Sequence, residues 1–300
     1  MTPASHAIRS LARDHRSGSH PLAMRACRIL AACRKPCAAS SEDFYLDVAQ
    51  AVADAQPTMA AVWNVCDQWV RLVNGGSTPL QASRRIARAL STAQKAAVGH
   101  AAGLIRTGQV VMTYSASSSV EAALRLACRK GRRFRVLCAE GRPMYEGRLM
   151  AQRLAKLCVP VEIFTDAALL SSVSEANLVL VGCDAIFPNS FVNKVGTHAL
   201  LRMARIAHVP AYVVADSFKV LPASEKPSFR IREQKPSEVW RQQTKNLRVR
   251  NFYFEAVPLR VVLSLITERG LCSPHSVPSL LQSLASGTML QYPRKRRGSQ

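Results

Sequence analysis

No run of apolar residues in this 300-residue chain approaches the roughly 18 that a membrane span requires. Its first twenty residues, MTPASHAIRSLARDHRSGSH, lack the apolar centre of a secretory signal, so a cytoplasmic location without membrane contact is expected. Acidic residues are scarce: 19 Asp and Glu stand against 41 Lys and Arg, for a formal net charge of +22. Nine cysteines are present, but no second pair or nearby histidine pair completes a tetrahedral site around the closest two, Cys33 and Cys37. Reduced structural thiols, no metal and no redox cofactor are therefore expected. Aromatic residues form only 6% of the chain, and neither basic run, RKGRR at 129–133 or PRKRR at 293–297, is interleaved with them, which weakens the case for specific nucleic-acid readout. The chain has no internal repeat and no long low-complexity tract.

What is present is an ordinary globular composition, 48% hydrophobic, on a chain long enough to bury a sizeable core. The positive field favours polyanions in general, including RNA, ribosomes and phosphorylated metabolites. Near residue 107 the pattern changes. Before it, Ala-rich segments around 22–33, 43–55, 59–73 and 79–105 place apolar residues three and four apart, separated by breakers such as AQPT and NGGSTP. After it, the short apolar runs QVVMTYS, FRVLCAE, VEIFTD, NLVLVGCD and AYVVADS read as strands, with helices near 119–130, 147–157, 167–175 and 194–207. Strands that are apolar throughout and joined by helices predict a mostly parallel sheet covered on both faces. The expected organisation is α/β, with an N-terminal helical domain at 1–105, a Rossmann-like domain at 106–285 and a basic tail at 286–300.

In such a sheet ligands bind outside the carboxyl ends of the strands. Three polar clusters fall there: Thr113 to Ser119, Asp184, and Asp216 to Lys219. Ser117, Ser118 and Ser119 stand where a strand turns into a helix, so hydroxyls and free backbone N–H groups can surround an anion, although for any one serine an N-cap is the simpler role. Lys194 and Lys219 offer point charges to phosphate oxygens, and Asn193 offers an amide to a sugar hydroxyl. Asp184 follows an apolar run, where desolvation raises a carboxyl pKa and suits it to proton transfer. A turn cap is its competing role.

These residues carry a family resemblance. The segments GCDAIFPNSFVNKVGTHALLRMA and PAYVVADSFKVLP resemble the superfamily that joins the alpha, beta and delta subunits of translation initiation factor 2B to the ribose-1,5-bisphosphate and methylthioribose-1-phosphate isomerases. The similarity extends through AEGRPMYEGRLMAQRLAKLCVPVEIFTDAA to VRNFYFEAVPLRVVLSLITERG, and is weaker at RSGSHPLAM and AQPTMAAVWN. The resemblance implies a sugar-phosphate pocket. Asp184 takes the place of the isomerases' acid, Asn193 and Lys194 that of the sugar-binding pair, and Lys219 that of a phosphate contact. Ser117 to Ser119 line the phosphate turn, while Arg16, Ser17, Gly18 and Ser19 form an amino-terminal flap. It also implies a homodimer through the C-terminal domain, where NFYFEAVPLRVVLSLI is the apolar segment offered.

One departure bears on activity. Where the isomerases have Thr-His-Cys after the first strand, this chain has MTYSAS, so Tyr114 replaces His and Ser115 replaces Cys. A serine hydroxyl is far less acidic than a thiol and needs a neighbouring base. Cys183 is expected to face away from Asp184 by strand alternation, which leaves Tyr114 as the first alternative base. The turn between Asp184 and Asn193 also reads one residue short. Two functions follow: a phosphosugar-binding isomerase of the ribose-1,5-bisphosphate type using Asp184 and Ser115, or a non-catalytic regulatory protein resembling the initiation factor subunits. The expected ligand is a phosphorylated pentose or a nucleotide.

Overall fold

The computed structural model describes residues 3–35, 41–221, 231–241, 244–277 and 290. Cys37, the basic run at 293–297 and all of the expected 286–300 tail except Leu290 lie outside them. The chain opens with five helices, α1 (Pro3–Ala12), α2 (Ser19–Ala31), α3 (Ser41–Asp54), α4 (Ala60–Asn74) and α5 (Pro79–Leu104). Four match the Ala-rich segments, and α1 is additional. A capping box starts α5: Thr78 Oγ1 accepts from Gln81 N–H, and Gln81 Oε1 accepts from Thr78 N–H. Pro79 follows at the first helical position, where its missing N–H costs nothing.

The alternating part follows as β1 (Val110–Thr113), α6 (Ser118–Arg129), β2 (Arg135–Ala139), α7 (Glu146–Ala155), β3 (Val161–Phe164), α8 (Asp166–Ser171) and β4 (Leu178–Val181). It continues with β5 (Ala185–Phe187), β6 (Ser190–Lys194), α9 (Thr197–Ile206), β7 (Ala211–Val214), β8 (Phe254–Pro258), β9 (Ser264–Thr267) and β10 (Gly270–Cys272). Seven strands form one sheet in the order β10-β9-β7-β4-β1-β2-β3, parallel except for β10. Alternate residues along its strands feed two separate cores. Val111, Val136, Leu178, Leu180 and Ile266 pack under α5, α6 and α7, whereas Met112, Leu137, Val179, Val181 and Leu265 pack against α8 and α9.

The structure departs from the sequence reading in three places. The fourth strand stops at Val181 rather than running to Asp184, and residues 185–194 form an antiparallel hairpin with Pro188 and Asn189 at its turn. Asn193 and Lys194 therefore sit on β6, and the helix expected from 194 starts at Thr197. The segment offered for dimer contact is largely buried within the chain: β8 completes a second sheet, β5-β6-β8, β9 joins the large one, and Val257, Leu259, Leu265 and Ile266 are all core. Finally, packing does not divide at residue 105. The N-terminal helices share a core with Ala185, Phe187, Val192, Phe218 and Leu221, while α5 enters that core through Ile86 and Leu90 and the sheet's core through Val98 and Ala102.

Candidate functional site

At the carboxyl edge of the large sheet, between the edge and the N-terminal helices, lies a cavity of about 290 Å³, near the lower limit for small-molecule sites. Every predicted site residue lines it except Ser119. Ser119 is in the first turn of α6, rotated inward and buried, with its Oγ meeting no partner. Ser117 is the N-cap of that helix, its Oγ accepting from Val120 N–H at 3.4 Å, so the simpler role holds for this serine while its position still borders the cavity. Gly182 makes the turn possible: a Cβ there would lie 2.3 Å from Ser117 Oγ.

The helix α2 brings its N-terminus to the same place. Gly18 is its N-cap, and a Cβ on Gly18 would stand 3.0 Å from Ser118 Oγ, so the first turns of α2 and α6 meet. Ser19 Oγ, buried and without a partner, lines the cavity at this junction. The expected flap is a pinned turn. Asp14 Oδ1 accepts from the N–H groups of Arg16 and Ser17, Arg25 pairs with its other oxygen, and Gln56 Nε2 donates to the Asp14 carbonyl. Against the cost of burial, these donors, Ser17 foremost, hold the Asp14 carboxyl below its usual value.

Lys219 is 2% exposed, at the end of a short 3-10 turn after β7. Asn64 Nδ2 fixes that turn by donating to the carbonyls of Phe218 and Val220. Asp184 and Asp216 flank the ammonium, and burial raises both carboxyls while Lys219 opposes the rise. For Asp184 the result is a carboxyl pushed up to about 6. Its main chain ties three elements together, the N–H donating to Val192 O at 2.8 Å and the carbonyl accepting from Ala60 N–H at the start of α4. Among the described residues the Asp184 side chain makes no capping hydrogen bond, so the turn-cap role is not the one observed. His20, beside Lys219, is pushed down to about 4 by burial and by that lysine, and its Nδ1 has no partner.

On β6, Asn193 Nδ2 donates to Thr197 Oγ1, which donates to the Lys194 carbonyl. Lys194 Nζ donates to both Glu146 oxygens, at 2.9 and 3.1 Å, and lies 5.2 Å from the Tyr253 ring centroid. Sequence reasoning missed Glu146, although it lies within one of the segments of similarity. Its carboxylate and Ser115 both border Gly141: a Cβ there would be 2.8 Å from Ser115 Oγ and 3.1 Å from Glu146 Oε2. Ser115 itself is buried at φ 56, in the left-handed region.

The two other candidate bases fare poorly. Cys183 does line the cavity, contrary to the alternation argument, because β4 has ended two residues earlier. Its thiol donates to Ala185 O at 3.2 Å, and burial raises its pKa well above the ordinary value. Tyr114 is buried with its hydroxyl over Gly196, where a Cβ would come within 2.0 Å of it, and Gly196 has φ +100. Burial, then the carboxylates of Asp166 and Glu255, raise the phenol above its usual value, so Tyr114 keeps its proton.

Residues 17–274 match the initiation factor 2 subunit family. The chain belongs to that family. Among its relatives is a Pyrococcus furiosus protein named translation initiation factor eIF-2B subunit 2-like, 32% identical over 78% of this chain and 83% of its own length. The ribose 1,5-bisphosphate isomerase of Methanocaldococcus jannaschii is 28% identical over 73% of this chain and 74% of its own. The crystal structure of the Pyrococcus horikoshii translation initiation factor eIF-2B superposes with a TM-score of 0.80 at 26% identity, covering 91% of this chain and 98% of that one. The relatives of this chain thus include both translation initiation factor eIF-2B-like proteins and ribose 1,5-bisphosphate isomerases. Among the described residues of this member, no helix is long and apolar enough to cross a membrane.

Proposed function

We propose that the cavity binds a small phosphorylated pentose or a nucleoside monophosphate. The observation that carries this reading is that buried Lys219 lines the same cavity as the meeting first turns of α2 and α6. A helix N-terminus presents N–H groups and partial positive charge, and two of them with an ammonium make a site for a dianion. Asn193, oriented by Thr197, and Asp184 stand on the sheet side, suited to sugar hydroxyls. Calorimetry with ribose 1,5-bisphosphate, methylthioribose 1-phosphate and nucleoside monophosphates tests it. Lys219→Ala should weaken the preferred ligand at least about tenfold, as loss of a charge-assisted contact does. No binding of any of these compounds, or unchanged affinity in Lys219→Ala, would remove the proposal.

A second reading, turnover of that ligand as an aldose–ketose isomerase, is favoured by Asp184, whose carboxyl at about 6 both gives and takes a proton near neutrality. The opposite partner is the weak point. Ser115 is a poor base alone, and Glu146, which borders Gly141 together with it, has both oxygens engaged by Lys194. Binding is therefore better supported than catalysis. Proton NMR in deuterated water, following exchange at the second carbon of the sugar, separates them. An isomerase limited by its serine speeds up in Ser115→Cys and loses exchange in Asp184→Asn, whereas a sensor binds ligand in both variants and exchanges in neither.

A further inference from the structure

The helix α5 contains 26 residues and no acid, and α2, which packs along it, contains none either. On the 3.6-residue period Arg84, Arg85, Arg88 and Lys95 fall within a sector of about 100°, and all four are exposed. The positions between them are short: Thr92, Gly99 and Gly103 lie on the same sector, and a Cβ on either glycine would meet nothing within 4 Å. At the end of α5 the row continues through exposed Arg106. It then passes to Arg129, Lys130 and Arg133, because Arg132 bonds the carbonyls of Ala102 and Ile105 and Gly108 N–H donates to Arg133 O at 2.7 Å. None of the exposed cations in this row has an ion-pair partner among the described residues. Glu121, in the first turn of α6, and Glu162 and Glu175 are engaged by Arg125, Arg153 and Arg135.

Helix dipoles account for part of this charge. Cations at the C-termini of α5 and α6 are favourable there, which covers Arg106, Arg129 and Lys130. Arg84, Arg85 and Arg88 stand in the first half of α5, where the dipole offers them nothing and no acid sits four residues away to pair with them. Their charge stays uncompensated along a helix about 39 Å long.

We propose that this basic row is a docking surface for the phosphate backbone of a nucleic-acid duplex. A duplex presents one phosphate charge per about 1.7 Å of its axis, so it matches a long straight row of cations. Single strands are bound by aromatic platforms, and the row has none. A membrane surface is a poor match, since the only large apolar residue exposed on α5 is Leu80, at its start. Contacts from such a row neutralise phosphates without reading bases, so binding depends on salt and not on sequence. The surface lies outside the cavity, and the inference stands without the phosphosugar reading.

Fluorescence anisotropy of the full chain on RNA and DNA duplexes of about 20 base pairs, between about 50 and about 200 mM salt, tests this. Substituting Arg84→Gln, Arg88→Gln, Lys95→Gln and Arg106→Gln together should weaken binding at least about 30-fold and make the salt slope shallower by roughly 3. A control with the same loss of charge, Arg202→Gln, Arg205→Gln, Lys245→Gln and Arg248→Gln, should change affinity less than about threefold. An unchanged melting temperature in both variants keeps the comparison one of surfaces. Running the two duplexes side by side identifies RNA or DNA as the source of the backbone. Absence of duplex binding, or equal losses in both variants, would overturn the proposal. So would tighter binding of anionic vesicles or polyglutamate through the same four residues.

Discussion

Asp184 lines the cavity although its strand ends at Val181, and its titration has a defined sign. Burial pushes its carboxyl up to about 6, against about 3.9 in an unfolded chain. Between those values the folded protein holds a proton that the unfolded chain has released. The contribution of this group to stability is therefore greatest below about pH 4 and is lost as pH rises through about 6. Asp184→Asn removes the ionised form, so its stability relative to the native chain should improve by about 1–3 kcal/mol between about pH 4 and about pH 7.5. Urea denaturation at the two pH values measures this, and a constant difference would mean that Asp184 does not titrate as described. The Lys194–Glu146 pair behaves differently, because both side chains are largely buried. Lys194→Met should cost about 3 kcal/mol by stranding the Glu146 carboxylate, and adding Glu146→Gln should recover much of that loss in a double-mutant cycle.

At the scale of elements, α5 is the most legible and the β5–β6 hairpin the least. Thr78, Pro79 and Gln81 announce the start of α5, and its apolar spacing holds for 26 residues. Thr78→Ala should cost about 1 kcal/mol in thermal or chemical denaturation. Gly99→Ala and Gly103→Ala should each stabilise by about 0.5–1 kcal/mol, since both positions are helical and their added methyls enter open space. A loss of stability in both would mean that some contact to the helix has been overlooked. The hairpin is hidden because β5 has three residues, too few to show a period of two, and the apolar run before it ends without any Gly-Asn or Asn-Gly signal. Its consequence for the site is large, since it places Asn193 and Lys194 on a strand and turns Lys194 toward Glu146.

Across the whole molecule, the N-terminal helices and the α/β part are joined by a shared core that contains Ala185, Phe187, Val192, Phe218 and Leu221. A fragment beginning at residue 106 should therefore expose these side chains, bind a hydrophobic dye and aggregate rather than fold as an independent domain. Size-exclusion chromatography and a thermal melt of the fragment check this, and a monomer with a cooperative transition would restore the boundary read near residue 105. The cavity depends on the same junction. Its floor comes from the carboxyl ends of β1, β4 and β7, and its wall from the turn before α2 and from Thr58 and Met59 before α4.

The sequence alone determined the parallel sheet, the helical N-terminal part and the edge on which the polar residues gather. Those properties rest on local periodicity and on the rule that loops at the carboxyl ends of parallel strands share one side. Only the tertiary structure decided which of those residues face one another. Ser119 turned inward because a helix rotates by about 100° per residue, and Cys183 turned toward the cavity because its strand had already ended. Tyr114 lost its standing as a base through burial and then through carboxylates more than fifty residues away in sequence, Asp166 and Glu255, and Glu146 entered the site through a lysine 48 positions distant. Burial and Coulomb forces act between residues brought together by the fold, and spacing along the chain carries no record of them.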